Sequence, residues 1–138
     1  MNKYGWFTLG FSLFLIVIIL LANSGAQIIW RFARFPMADK AGHFILFGSL
    51  AFLLNMALHC RTKKLLGKEV LIGSLGVIIV VALEEISQIF LVHRTFDLTD
   101  FMYDCAGIYL GGYIAVILRE IQGYFQKRTE NVIRMHQF

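Results

Sequence analysis

From Phe11 to Ala22 the chain reads FSLFLIVIILLA, a run with one serine and otherwise only apolar side chains. Extended back to Gly5, it is long enough to cross most of a hydrocarbon core of about 30 Å as helix. Inside lipid, a backbone must satisfy its own hydrogen bonds, so an open strand or loop is excluded there. Three more apolar segments follow, at about residues 41–59, 69–92 and 101–118. With 58% hydrophobic residues and a single proline in 138, the expectation is an all-α integral membrane bundle of four transmembrane helices. Little chain is left outside the spans. The first span, at about residues 5–22, is expected to stay as a helix rather than serve as a cleaved leader, although NSGA after it offers small residues for processing.

Between Gln27 and Phe35, QIIWRFARF places Ile28, Phe32 and Phe35 on one helical face and Arg31 and Arg34 on another. That pattern suits a short interfacial helix after the first span, with a simple connecting loop as the alternative. Residues 119–138 mix Ile121, Tyr124, Phe125, Val132 and Ile133 with Lys127, Arg128 and Arg134. They are expected to form a cytoplasmic amphipathic tail, distinct from a membrane domain covering residues 1–118.

The net charge of +4 does not point to nucleic acid, because the basic residues form short clusters beside apolar runs. They encode topology instead. Lys3, Arg61, Lys63, Lys64, Lys68, Arg119, Lys127, Arg128 and Arg134 fall on one side of the expected spans, and Arg31, Arg34, Lys40 and Arg94 on the other. The positive-inside rule then puts both termini in the cytoplasm. Cys60 and Cys105 come to opposite faces, too far apart for a disulfide.

In that topology the polar residues collect at the outer ends of three spans. Asp39 and His43 are four apart at the start of the second; Glu84 and Gln88 are four apart near the end of the third, with Glu85 adjacent. Asp100, Asp104, Gly107 and Gly111 form one stripe of the fourth. Lys40 and the loop residues His93, Arg94 and Asp97 complete the group. Six of the nine acids lie here (Asp39, Glu84, Glu85, Asp97, Asp100 and Asp104). Like charges and burial oppose simultaneous ionisation, so Glu84 or Glu85 is expected to hold or share a proton near neutral pH.

The bland reading of this group is a structural ion network, in which Arg94 and Lys40 neutralise buried acids and fix helix packing. The functional reading makes it an outer pocket. There Arg94, Lys40, Asp39, Gln88, Asp97, Asp100 and Asp104 contact a ligand, and Glu84, Glu85 and His43 are candidate proton donors or acceptors. His43 is equally well read as a packing histidine held by Asp39. A metal site from His43, Glu84, Glu85 and the loop acids is a minor alternative, but no recognised metal spacing such as HExxH occurs, so neither metal nor cofactor is assigned. There is also no nucleophile motif and no phosphate-binding glycine loop.

The order Asp39-Lys40-x-x-His43-Phe44, Glu84-Glu85-x-x-Gln88, then Arg94, Asp97, Asp100, Gly107 and Gly111 resembles the VanZ-like family of small bacterial membrane proteins. The resemblance covers roughly residues 39–112. It implies a multi-pass protein of the bacterial cytoplasmic membrane and, through the founding member, an association with teicoplanin resistance; it implies no reaction. Asp104 departs from the asparagine usual in that family. The reading is therefore a VanZ-like protein whose outer-leaflet pocket binds or modifies a lipid head group, a lipid-linked envelope precursor or a lipophilic glycopeptide. One alternative is a proton- or ion-coupled transporter, against which the cytoplasmic halves of the spans offer few polar groups. Another is an assembly protein that meets a membrane partner through Gly107 and Gly111.

Overall fold

The computed structural model describes residues 3–24, 37–90 and 97–135. Among these the chain forms α1 (Lys3–Asn23), α2 (Ala38–Ala57), a hairpin of β1 (Thr62–Leu65) and β2 (Lys68–Leu71), α3 (Ile72–Gln88) and α4 (Leu98–Met135). The segment expected to hold an interfacial helix, residues 27–35, and the loop residues His93 and Arg94 lie outside the described residues.

α1, α2 and α4 are long and apolar enough to cross a membrane. The 17 residues of α3 rise only about 25 Å, a little short of the hydrocarbon thickness. α1 buries Thr8, Leu15 and Ala22, a line seven residues apart that makes one narrow seam. Phe11 and Ile19 flank that seam half-buried, and much of the remaining surface, including Phe7, Leu13, Phe14, Val17 and Leu20, is exposed, as suits a helix whose solvent is lipid. The apolar core gathers Leu15 of α1, Phe47, Leu50 and Ala51 of α2, Val77 and Val81 of α3, and Ile108 of α4.

α2 and α4 run parallel and come close through glycine. A Cβ on Gly107 would overlap the Phe44 carbonyl, one on Gly111 would overlap the Gly48 carbonyl, and one on Gly48 would lie 2.9 Å from the Gly107 carbonyl oxygen. No other residue permits backbones this close, which is the small-residue packing of membrane helices. The stripe of Gly107 and Gly111 is thus seated on α2 within the chain.

Two boundaries differ from the sequence expectation. The third apolar segment does not begin its helix at Glu69: residues 68–71 form β2, paired antiparallel with β1 so that Lys64 faces Glu69 and Thr62 faces Leu71. Leu66 and Gly67, at φ 50° and 79°, make the two-residue mirror-image turn whose twist matches the strands. The usual Asn-Gly signal is replaced here by Leu-Gly, with Leu66 fully exposed. The second difference is at the other end of the chain. α4 does not stop near residue 118 but continues unbroken to Met135, 38 residues in all, because Gly123 is the sole interruption and a single glycine is tolerated in a helix. Gln122 donates to the Tyr4 hydroxyl at 3.0 Å, so α4 reaches the start of α1 near that point. Residues 119–135 are exposed throughout.

Candidate functional site

The site is built at the helix ends remote from the hairpin. Met37, in the left-handed region at φ 69°, starts α2 without a side-chain cap, which places Asp39, Lys40 and His43 on its first turns. α4 begins at a conventional cap. Asp97 Oδ1 accepts from the Thr99 backbone N–H at 2.8 Å and from the Thr99 hydroxyl at 2.6 Å, satisfying groups that a helix N-terminus leaves open. These bonds, and then the Lys40 ammonium, hold Asp97 below the usual carboxylate range.

Lys40 Nζ ties α2 to this cap. It donates to Asp100 Oδ1 at 2.8 Å, to the Thr99 hydroxyl at 2.7 Å and to Asp97 Oδ2 at 3.3 Å, and lies 5.9 Å from the centre of the Tyr103 ring. Sequence reasoning had no place for Thr99 or Tyr103. The Asp-x-Thr pattern at a helix start was a signal for the first; the second had none.

One turn deeper, His43 Nδ1 lies 3.1 Å and 3.2 Å from the two carboxylate oxygens of Asp104. Asp104 is fully buried and His43 nearly so, with 11% of its side chain exposed. The His43 ring packs on Phe47 at 6.1 Å between centres. His43 therefore takes Asp104, across the α2–α4 contact, as its hydrogen-bonding partner.

α3 closes the third side. Its buried face reads Gly73, Ser74, Val77, Val81, Glu85 and Gln88, so Glu85 and not Glu84 turns inward, at 1% exposure. Gln88 Nε2 donates to Glu84 Oε2 at 2.8 Å and to Glu85 Oε1 at 3.3 Å. Glu85 Oε2 is buried with no hydrogen-bond partner among the described residues. α3 ends at Gln88, which puts Glu84 about 6 Å of helical rise from its terminus; the longer span expected from the sequence placed it deeper. Asp39 is exposed at the rim. Among the described residues, six acids at this end face Lys40 and His43.

A groove of ≈ 340 Å³ runs along α2 and α4, lined by Phe44, Gly48, Ser49, Phe52, Gly107 and Leu110 among others. Phe44 is next to His43 in the chain, and Gly107 lies one helical turn beyond Asp104. An apolar groove therefore lies beside the ionic cluster on the same pair of helices, without sharing its lining.

No curated protein and no solved structure matches the chain at significant similarity. A family model does: VanZ/LLP1, over residues 5–119. That match takes in α1, which the motif resemblance did not reach, together with α2, α3, and α4 as far as Arg119. Spanning most of the chain and all four helices, it shows that this membrane protein belongs to the VanZ/LLP1 family.

Proposed function

We propose that all four helices cross the bacterial cytoplasmic membrane with both termini inside, that the acidic end opens at the outer leaflet, and that it holds the polar head of an amphiphile. Candidate ligands are a lipid head group, a lipid-linked envelope precursor or a lipophilic glycopeptide. The distribution of Lys and Arg and the shared level of Tyr4 and Gln122 support this orientation. The observation that carries the reading is that cluster and groove neighbour each other along the same two helices, α2 and α4. A head group seats among Lys40, Asp100 and His43 while its hydrocarbon chain lies between Phe44, Gly48 and Leu110. Such sites are largely apolar with a few convergent polar groups.

In this arrangement Lys40 contacts an anionic group of the ligand, and it does so without leaving Asp100. Asp97 and Asp100 hold the ammonium at the mouth. His43, hydrogen-bonded to Asp104, and Glu85 below it are the groups able to give or take a proton. Arg94, outside the described residues, is proposed as a second cation at the rim.

The test combines a cellular and a direct readout. Lys40→Ala and Glu85→Gln are expected to lower protection against a lipophilic glycopeptide at unchanged protein level. Both are also expected to reduce the lipid retained by the purified protein in native mass spectrometry. Full protection and full lipid retention in both variants would remove the reading.

A further inference from the structure

The geometry points to a divalent-cation site formed by His43, Glu85 and Asp104, one ligand from each of α2, α3 and α4. The inference shares His43 and Glu85 with the amphiphile reading, but it concerns the floor of the cluster and requires no lipid. One ligand atom from each of the three lies within 4.8 Å of the others. Bonds of about 2.0 to 2.2 Å to a tetrahedral ion would bring such atoms to separations of about 3.4 Å, a closure that side-chain rotation can supply.

An acidic cluster alone would not carry this. The second observation is Glu85 Oε2, a carboxylate oxygen buried and unpartnered among the described residues on a side chain only 1% exposed. A buried carboxylate oxygen without donor or counter-ion is costly. Its twin, Oε1, is held by Gln88, as supporting hydrogen bonds hold a metal-ligating carboxylate in place. His43 Nδ1 faces both oxygens of Asp104, so an ion entering there meets a nitrogen and carboxylate oxygens together.

Charge and donor type select the ion. Asp104 and Glu85 as carboxylates, with a neutral imidazole, sum to two negative charges, which a divalent ion cancels inside the bundle. One nitrogen among oxygens suits Zn²⁺ or Mn²⁺; Ca²⁺ and Mg²⁺ favour all-oxygen sets. Three protein ligands leave a coordination position open. The second acid–histidine group, Asp39, His43 and Asp100, is less suited, because Asp39 is exposed and Asp100 already binds Lys40.

The experiment uses the full chain in detergent, stripped with EDTA and dialysed against Zn²⁺ or Mn²⁺, with bound metal measured by inductively coupled plasma mass spectrometry. The wild type is expected to retain close to one ion per chain and to melt at a higher temperature with the ion than without. Glu85→Gln and His43→Gln are expected to weaken binding by at least about tenfold and to lose the metal-dependent shift. Ser74→Ala, at the opposite end of α3, keeps both. Metal retention no greater than a buffer blank in the wild type overturns the proposal, with no variant needed. So does undiminished binding in Glu85→Gln and His43→Gln, or a loss seen in Asp39→Asn but not in Glu85→Gln. Lipid retention measured in EDTA separates this result from the fate of the amphiphile reading.

Discussion

α2, α3 and α4 carry a polar node at each end, and the two are built on opposite terms. At the hairpin end, Asn55 Nδ2 donates to the Ser74 hydroxyl at 2.8 Å, fully buried. Gly73 and Gly112 press against this pair: a Cβ on Gly73 would overlap the Asn55 amide, and one on Gly112 would lie 2.7 Å from Ser74 Oγ. The node is neutral and closed. At the acidic end Gln88 holds Glu85, His43 meets Asp104, Lys40 binds Asp97 and Asp100, and acceptors exceed donors. Each node has one oxygen without a partner among the described residues, Asn55 Oδ1 and Glu85 Oε2. The amide oxygen is uncharged and lies against Gly73, whereas the Glu85 carboxylate brings an oxygen within 4.8 Å of ligand atoms of His43 and Asp104. Both nodes are buried; charge and donor balance separate a helix clasp from a site.

The largest effect is expected where both nodes depend on one contact. Gly111→Val drives two methyl groups toward the Gly48 carbonyl, a backbone atom that cannot rotate away. Its cost is of the order of 3 kcal/mol, read as a lower unfolding midpoint in detergent. It should abolish ligand retention at the acidic end and loosen the Asn55–Ser74 bond. A variant as stable as wild type would show that the α2–α4 contact is not what joins the nodes.

Next come substitutions of opposite sign. In metal-free protein, Glu85→Gln exchanges a buried carboxyl for a neutral amide of the same shape, and at a pH where that carboxyl is ionised stability is expected to rise by about 1 to 2 kcal/mol. Asn55→Ala removes the donor to Ser74 and is expected to lower stability by about 1 kcal/mol. A loss in both would make the acidic end as purely structural as the other. Ser74→Ala is milder, about 0.6 kcal/mol and at most about 1.7, as for single hydrogen bonds between membrane helices. Lipid and metal retention are expected to be unchanged in it.

How much of this was legible follows from the same contrast. Helix positions came from apolar runs, and the stripe Asp100, Asp104, Gly107 and Gly111 came from periodicity, because one face of a helix is fixed by spacing alone. Which of Glu84 and Glu85 turns inward was not, since adjacent residues differ by 100° and the phase of α3 is set by Val77 and Val81 packing in the core. The partner of His43 was also hidden: Asp39 shares its helix face, but Asp104 meets it across the glycine contact, a tertiary fact. Leu-Gly at the hairpin turn and the unbroken run of α4 carry no distinctive residue. The Asn55–Ser74 node was missed because one asparagine and one serine in apolar segments look incidental until their helices are paired.

The smallest effect belongs to the rim, where Asp97 caps α4 and shares Lys40 with Asp100. Its carboxyl is held below the ordinary range by Thr99 and then by Lys40, so the folded state favours the ionised form. Stability from this source is fully present above the unfolded value of about 3.9 and is lost as pH falls through the lower folded value. Asp97→Ala is expected to lower the melting temperature slightly at neutral pH, and the gap should close on acidification. Asp97→Asn, whose amide oxygen still caps Thr99, should keep most of the wild-type melting temperature at neutral pH. Added salt should narrow the difference between wild type and Asp97→Asn, because Asp97 and Lys40 are both partly exposed. Ser74→Ala supplies the contrast: the Asn55–Ser74 bond contains no titrating group, so its deficit should stay constant over the same pH range. A pH-independent gap for Asp97→Ala would mean that the cap acts through geometry alone and that the charge of Asp97 adds nothing to the Lys40–Asp100 pair beneath it.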